Sequence, residues 1–158
     1  MNELKIVIDN DVLERYEQHY FELHPRAHKK PIARPYHESI NQWMILKRPA
    51  MNALKQRWKD FIVWLVNDND IAGAEIAKCE ITHIVYFATN QRHDADNTVP
   101  KFILDGLVES GVIVDDSSRY ITKLILQCAV DKEHPRTEII VNYPPPKGSG
   151  LLLNGSPD

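Results

Sequence analysis

Cysteine is scarce in this chain: Cys79 and Cys128 are the only two, and no C-x-x-C occurs. A disulfide scaffold is therefore excluded. Both thiols, each inside an apolar strand-like run, are expected to be reduced and buried. Glycine is sparse as well, with 6 residues in 158, and the overall composition excludes a collagen-like fibre. No apolar run approaches the length of a membrane-spanning helix, so no membrane partner is expected. The opening MNELKIVIDND carries acids early and lacks an apolar core. It does not read as a signal peptide, and a cytoplasmic protein is expected. What is present is ordinary for a globular chain, with 43% apolar and 26% charged residues. The length suits one domain with one core.

The formal net charge of −3 hides a partition. Residues 1–22 carry six acids against Lys5 and Arg15, while residues 23–60 carry nine Lys/Arg against Glu38 and Asp60. Residues 61–158 return to an acidic balance, with fourteen acids against eight Lys/Arg. A basic middle beside an acidic remainder points to a polyanion partner.

Hydrophobic patterning predicts an α/β (α+β) chain: one compact domain over 1–143, a mixed sheet of about four strands and two main helices. ELKIVI at 3–8 reads as a strand, and residues 11–23 as a short helix with Leu13, Tyr16, Tyr20 and Leu23 at helical spacing. Residues 24–37, with three prolines, three histidines and four Lys/Arg residues, read as a long mobile basic loop. From Pro49 an apolar stripe of Leu54, Trp58, Phe61, Ile62, Leu65 and Val66 predicts a long helix ending near residues 67–70. KCEITHIVYFAT at 78–89 reads as a long strand. A second helix follows, capped by Asn97 or Thr98, carrying Pro100 in its first turn and ended by Gly111. YITKLILQCAV (120–130) and TEIIVNY (137–143) read as strands forming an antiparallel pair. The tail from 144 to 158 has no periodicity and is expected to be disordered.

The informative stretch is RHDADNTVPKFILDGLVESGVIVDDSSRY, residues 92–120. If the chain stays extended beyond the strand, Asp94 and Asp96 point to one side. Two such carboxylates repel unless a cation neutralises them, and a hard ion such as Mg²⁺ prefers carboxylate oxygens. A strand–helix–strand hairpin could return Asp115 and Asp116 beside that pair. Lys101 lies in the first turn of the connecting helix, whose free N–H groups favour phosphate. Asp105, four residues on, can pair with Lys101 on one helix face. Carboxylates, a lysine and a helix N-terminus together outline a phosphodiester site.

On Arg92, the D-x-D-N of Asp94 to Asn97, Lys101, the D-G-L of Asp105 to Leu107, Gly111 and the Asp115–Asp116 pair, the chain resembles the RusA-type Holliday-junction resolvases. These are metal-dependent endodeoxyribonucleases often encoded by prophages. The resemblance is strongest over 92–120. It implies that Asp94, Asp96 and Asp116 bind Mg²⁺ or Mn²⁺, with Asp115 a less critical neighbour, and that Lys101 serves catalysis. It further implies an α/β fold and a homodimer that resolves four-way DNA by paired symmetric nicks in recombination and repair. One departure stands out: the gap from Asp96 to Lys101 is one residue longer than the family pattern, with Pro100 in the extra space. Lys29, Lys30, Arg34 and Arg92 are the candidate DNA contacts, gripping backbone rather than bases. No other cofactor is expected. The alternative is a non-catalytic DNA-binding or phage-assembly protein that keeps the fold.

Other motifs in the same residues fail on spacing. D-A-D-N-T-V resembles a phosphatase nucleophile motif, but Asn90 to His93 separate it from the strand that such a nucleophile must directly follow. A calcium loop from Asp94 would need Gly and Glu where Val99 and Asp105 stand. His19, His24 and His28 lack a common helix face, because Pro25 intervenes. His93 is a candidate substrate contact or acid, and Trp43 a candidate for base stacking.

Overall fold

Alternation along Asn2–Asp9 sends Ile6 and Ile8 to one face, and this segment forms strand β1. A computed structural model of the chain describes residues 1–33 and 36–145; Arg34 and the tail from 146 onward lie outside the described residues. Asp9 caps helix α1 (Asn10–Leu23), its Oδ1 accepting from Val12 N at 3.0 Å. After the loop come a short helix α2 (Ile40–Trp43) and the long helix α3 (Arg48–Asp68). Strand β2 (Cys79–Phe87), a 3-10 turn (Ala95–Thr98), helix α4 (Lys101–Glu109), and strands β3 (Ile121–Val130) and β4 (Arg136–Tyr143) complete the chain. No helix among the described residues is long and apolar enough to cross a membrane.

The four strands form one mixed sheet in the order β1-β4-β2-β3. β3 lies parallel to β2, with Cys79 opposite Ile121 and Phe87 opposite Val130. Parallel neighbours need a crossover, and α4 supplies it. The expected antiparallel pair of the last two strands is corrected: β4 pairs antiparallel with β1 and β2 instead. Composition explains the exchange. β4 buries Thr137, Glu138, Ile139 and Val141, whereas β3 exposes Lys123 and Gln127, as suits an edge. The connecting turn stays bound to the end of β2, Asp131 N donating to Phe87 O at 2.9 Å, before the chain steps across that strand.

The helices pack on one face of the sheet. Trp58, Phe61, Ile62, Leu65 and Val66 of α3 meet Phe102, Ile103 and Leu107 of α4 in the core, as the apolar stripes predict. Two other expectations are corrected. The described residues of 24–37 hold no helix or strand, yet they do not form a free loop. Ile32 and Tyr36 are buried in the core, and the Tyr36 hydroxyl donates to Asn10 Oδ1 at 2.9 Å. The apolar residues outweigh the surrounding charge and fix that stretch. Cys79 is buried as expected, but Cys128 is exposed, because it lies on the edge strand.

Gly106 sets the distance between α3 and α4. A Cβ placed there would lie 2.6 Å from Cβ of Ile62, far inside contact distance. Alanine favours a helix by roughly 1 kcal/mol over glycine, but here the steric cost decides the sign. Gly106→Ala is expected to lower stability by about 1–3 kcal/mol, the usual range for overpacking. Denaturant unfolding measures it, and a variant as stable as the parent would contradict this packing.

Candidate active site

One end of the sheet gathers most of the chemistry. β2 leaves the sheet at Phe87, and its chain runs through Arg92 and His93 into the turn at Ala95–Thr98. Sites in sheets with parallel strands lie beyond the carboxyl ends of those strands, and this is that end of the β2–β3 pair. Asp94 is extended, but Asn97 N donates back to Asp94 O at 3.1 Å, so the chain bends at once. The strand alternation expected to align Asp94 with Asp96 therefore does not extend through them. Both acids are exposed. Arg92 Nε lies 3.7 Å from Asp94 Oδ1, in a solvent-exposed pair of little stabilising worth.

Two side chains lock this turn to the first half of the chain. Asn97 Oδ1 accepts from Asn41 N at 2.8 Å and from Ser39 Oγ at 3.2 Å. Glu38, only 2% exposed, reaches the start of α4, where its two oxygens accept from Phe102 N at 2.8 Å and Ile103 N at 2.7 Å. These are amides that a helix leaves without internal partners. The expectation of a phosphate at this helix start is thus corrected, because a buried carboxyl group already fills it. Neither Asn97 nor Thr98 caps α4; Pro100 is the capping residue. Burial pushes Glu38 up to about 8, against the pull of the two amides. Lys101, at the first position of α4, is exposed and makes no ion pair among the described residues. Asp105 pairs with Lys55 of α3 at 3.7 Å rather than with Lys101.

Between these segments opens a cleft of about 470 Å³, lined by His37, Ser39, Asn41, Arg92, His93 and Asp94 among others. His93 stacks flat on Phe87, ring centres 3.5 Å apart, and His37 meets the same ring edge-on at 5.6 Å. His37 Nδ1 lies 2.6 Å from the carbonyl oxygen of Glu38. A carbonyl only accepts, so Nδ1 carries the proton and the neutral ring offers Nε2 as an acceptor. Burial lowers the His37 pKa and keeps the ring neutral. His83, on the core side of β2, is fully buried, with neither ring nitrogen partnered among the described residues. Sequence reasoning missed His37 and Glu38. The one available signal was Glu38 itself, the sole acid between Glu22 and Asp60 in a basic segment.

The other expected site residues fall elsewhere. Val114 N donates to Ile76 O at 3.0 Å, and Tyr120 and Ile121 N both donate to Ser117 O at 3.0 Å. Asp115 and Asp116 are held between these anchors, before the first residue of β3. Because β2 and β3 are parallel, that is the opposite end of the pair from Asp94. The nine residues of β2 separate the two ends by about 26 Å, at about 3.3 Å per residue. Among the described residues no three His, Cys, Asp or Glu side chains stand close enough to hold a metal ion. The set of Asp94, Asp96 and Asp116 therefore does not fit a divalent ion within one chain. Lys30 pairs with Glu17 of α1 at 3.8 Å, and neither it nor Lys29 lines the cleft. Trp43 packs on Phe102, ring centres 5.2 Å apart.

Compared with protein-family models and with curated proteins, the chain matches none.

His83 gives the site a pH signature. Burial pulls its pKa down to about 3, whereas an unfolded histidine titrates near 6.5. The unfolded chain then binds the extra proton first, so this contribution is lost as pH falls from about 6.5 toward 3. At pH 5 the loss is about 2 kcal/mol. Glu38 acts in the opposite sense, since its raised value removes stability as pH rises from about 4.5 to about 8. The comparison therefore runs between His83→Leu and the parent across pH 5 to 8. The variant is expected to gain relative stability toward pH 5; parallel curves would contradict a buried neutral His83.

Proposed function

We propose that the chain is an endonuclease of RusA type that nicks branched DNA, four-way junctions foremost. The observation that carries this reading is the D-x-D-N turn at the carboxyl end of the parallel pair, opening on a cleft with Arg92, His93 and His37. The cleft offers both charges that phosphodiester chemistry uses. Arg92 is 92% exposed, and its weak pair with Asp94 can be exchanged for a phosphate oxygen. The acceptor nitrogen of His37 can take a proton from a water bound in the cleft. Phe87 holds the His93 ring at the rim. Asp94 and Asp96 supply the negative charge that the implied Mg²⁺ or Mn²⁺ seeks. Paired nicks across a four-way junction need two such clefts, hence two copies of the chain.

A second reading, a branched-DNA-binding protein without nuclease activity, draws on one observation: the Asp115–Asp116 pair stands at the far end of the sheet. One set of assays separates the two. Purified protein is incubated with a four-way junction or a matched linear duplex, with Mg²⁺ or EDTA. The nuclease reading expects symmetric nicks in the junction with Mg²⁺ only. Asp94→Asn and Asp96→Asn should abolish cleavage while junction binding survives. Asp116→Asn should leave the single-turnover rate within about threefold, or about 0.65 kcal/mol. Loss as complete as in Asp94→Asn would mean that a second copy brings Asp116 to the cleft. Binding without nicks, at every metal concentration, would favour the second reading.

A further inference from the structure

Trp43, Met44, Ile45 and Leu46 are four consecutive large apolar residues, and only the first is packed away. Trp43 seats on Phe102, while Met44, Ile45 and Leu46 are 62%, 80% and 38% exposed. Their position is fixed. They follow directly on α2, whose first turn is tied to Asn97 through Asn41 N and Ser39 Oγ, and Leu46 N donates to Trp43 O at 3.2 Å. The patch thus stands beside the cleft wall formed by Asn41 and Gln42. Exposed apolar side chains held rigidly next to a polar cleft call for a partner surface.

Charge identifies the partner. Residues 39–59 contain Lys47, Arg48, Lys55, Arg57 and Lys59 and no acid. Lys55 and Lys59 are taken up by Asp105 and Glu109 of α4, whereas Lys47 and Arg48, next to the patch, make no ion pair among the described residues. An apolar tip beside unneutralised cations suits nucleic acid better than an apolar protein face. The cations meet phosphates and the tip meets bases. Met, Ile and Leu are among the side chains that proteins insert between base steps, and insertion is cheapest where stacking is already broken.

We propose that Met44, Ile45 and Leu46 form a wedge that enters the base stack at the branch point of a DNA junction and holds it open beside the cleft. This rests on the branched-DNA reading above and adds the part of the substrate that is recognised: the unstacked bases, not the backbone alone. The wedge makes no base-specific hydrogen bond, so it selects for structure rather than sequence.

The probe is a four-way junction carrying 2-aminopurine at the branch point, titrated with full-length protein in EDTA, so that no cleavage occurs. Unstacking raises the fluorescence of this base. The parent should raise it about twofold or more, and the combined Met44→Ser and Ile45→Ser variant should not, with a junction affinity about tenfold lower (about 1.4 kcal/mol) and linear-duplex affinity unchanged. Ile45→Trp, which keeps a large flat tip, should retain the signal. If the parent binds the junction but the serine variant gives the same fluorescence and affinity, the wedge is refuted and the branched-DNA reading stands. If the parent shows no preference for the junction over the duplex, both fail. If the serine variant instead sediments as a smaller species than the parent, the patch is an interface between copies and the wedge is refuted.

Discussion

The cleft end of the sheet depends on one buried carboxyl group. Glu38 accepts from Phe102 N and Ile103 N, and through those two bonds an otherwise irregular stretch of chain is pinned to the start of α4. Removing the side chain would strand two buried amides, a cost of roughly 1–3 kcal/mol each. His37 on one side of Glu38 faces the cleft, and Ser39 and Asn41 on the other hold Asn97. The cleft wall, the D-x-D-N turn and the apolar tip at Met44 to Leu46 are thereby one assembly around a single buried carboxyl group.

The same bond limits what the helix can do. A helix N-terminus is an anion site, and here its free amides are already taken by the Glu38 carboxyl oxygens. On the proposed function, phosphate is then met by side chains: Arg92 and His93 at the rim, and Lys47 and Arg48 beyond the tip. Side-chain cations grip a backbone without reading bases, which suits recognition by shape. The opposite face of the sheet is organised differently. There Glu138 is bonded by Lys5 at 2.9 Å and by Arg136 at 2.7 Å, and Arg136 lies over Tyr86 at 3.8 Å. Those cations are already spent on partners within the fold.

Local pattern carried the elements well. The 3.6-residue stripe of α3, the apolar run of α4 ended by Gly111 and the alternation in β1, β2 and β4 are properties of neighbours in sequence, and each element appears close to where it was expected. Strand order was not legible in the same way. β4 pairs between β1 and β2 because of what its two flanking partners bury, and no window of sequence contains all three. The position of Asp116, by contrast, is legible in the order of the elements. A helix joining two adjacent strands makes them parallel, so acids that follow the helix must land at the opposite end from acids that precede it. Glu38 and its amides are separated by 64 and 65 residues, and nothing local marks them as partners.

On the proposed function, nucleic acid sits at the carboxyl end of the β2–β3 pair, and photo-crosslinking tests that most directly. A four-way junction bearing photoreactive bases around its branch point, irradiated with the full chain and read by mass spectrometry, should attach to peptides from residues 37–48 and 88–98. Attachment confined to residues 112–120, beside Asp115 and Asp116 at the other end of the sheet, would contradict it.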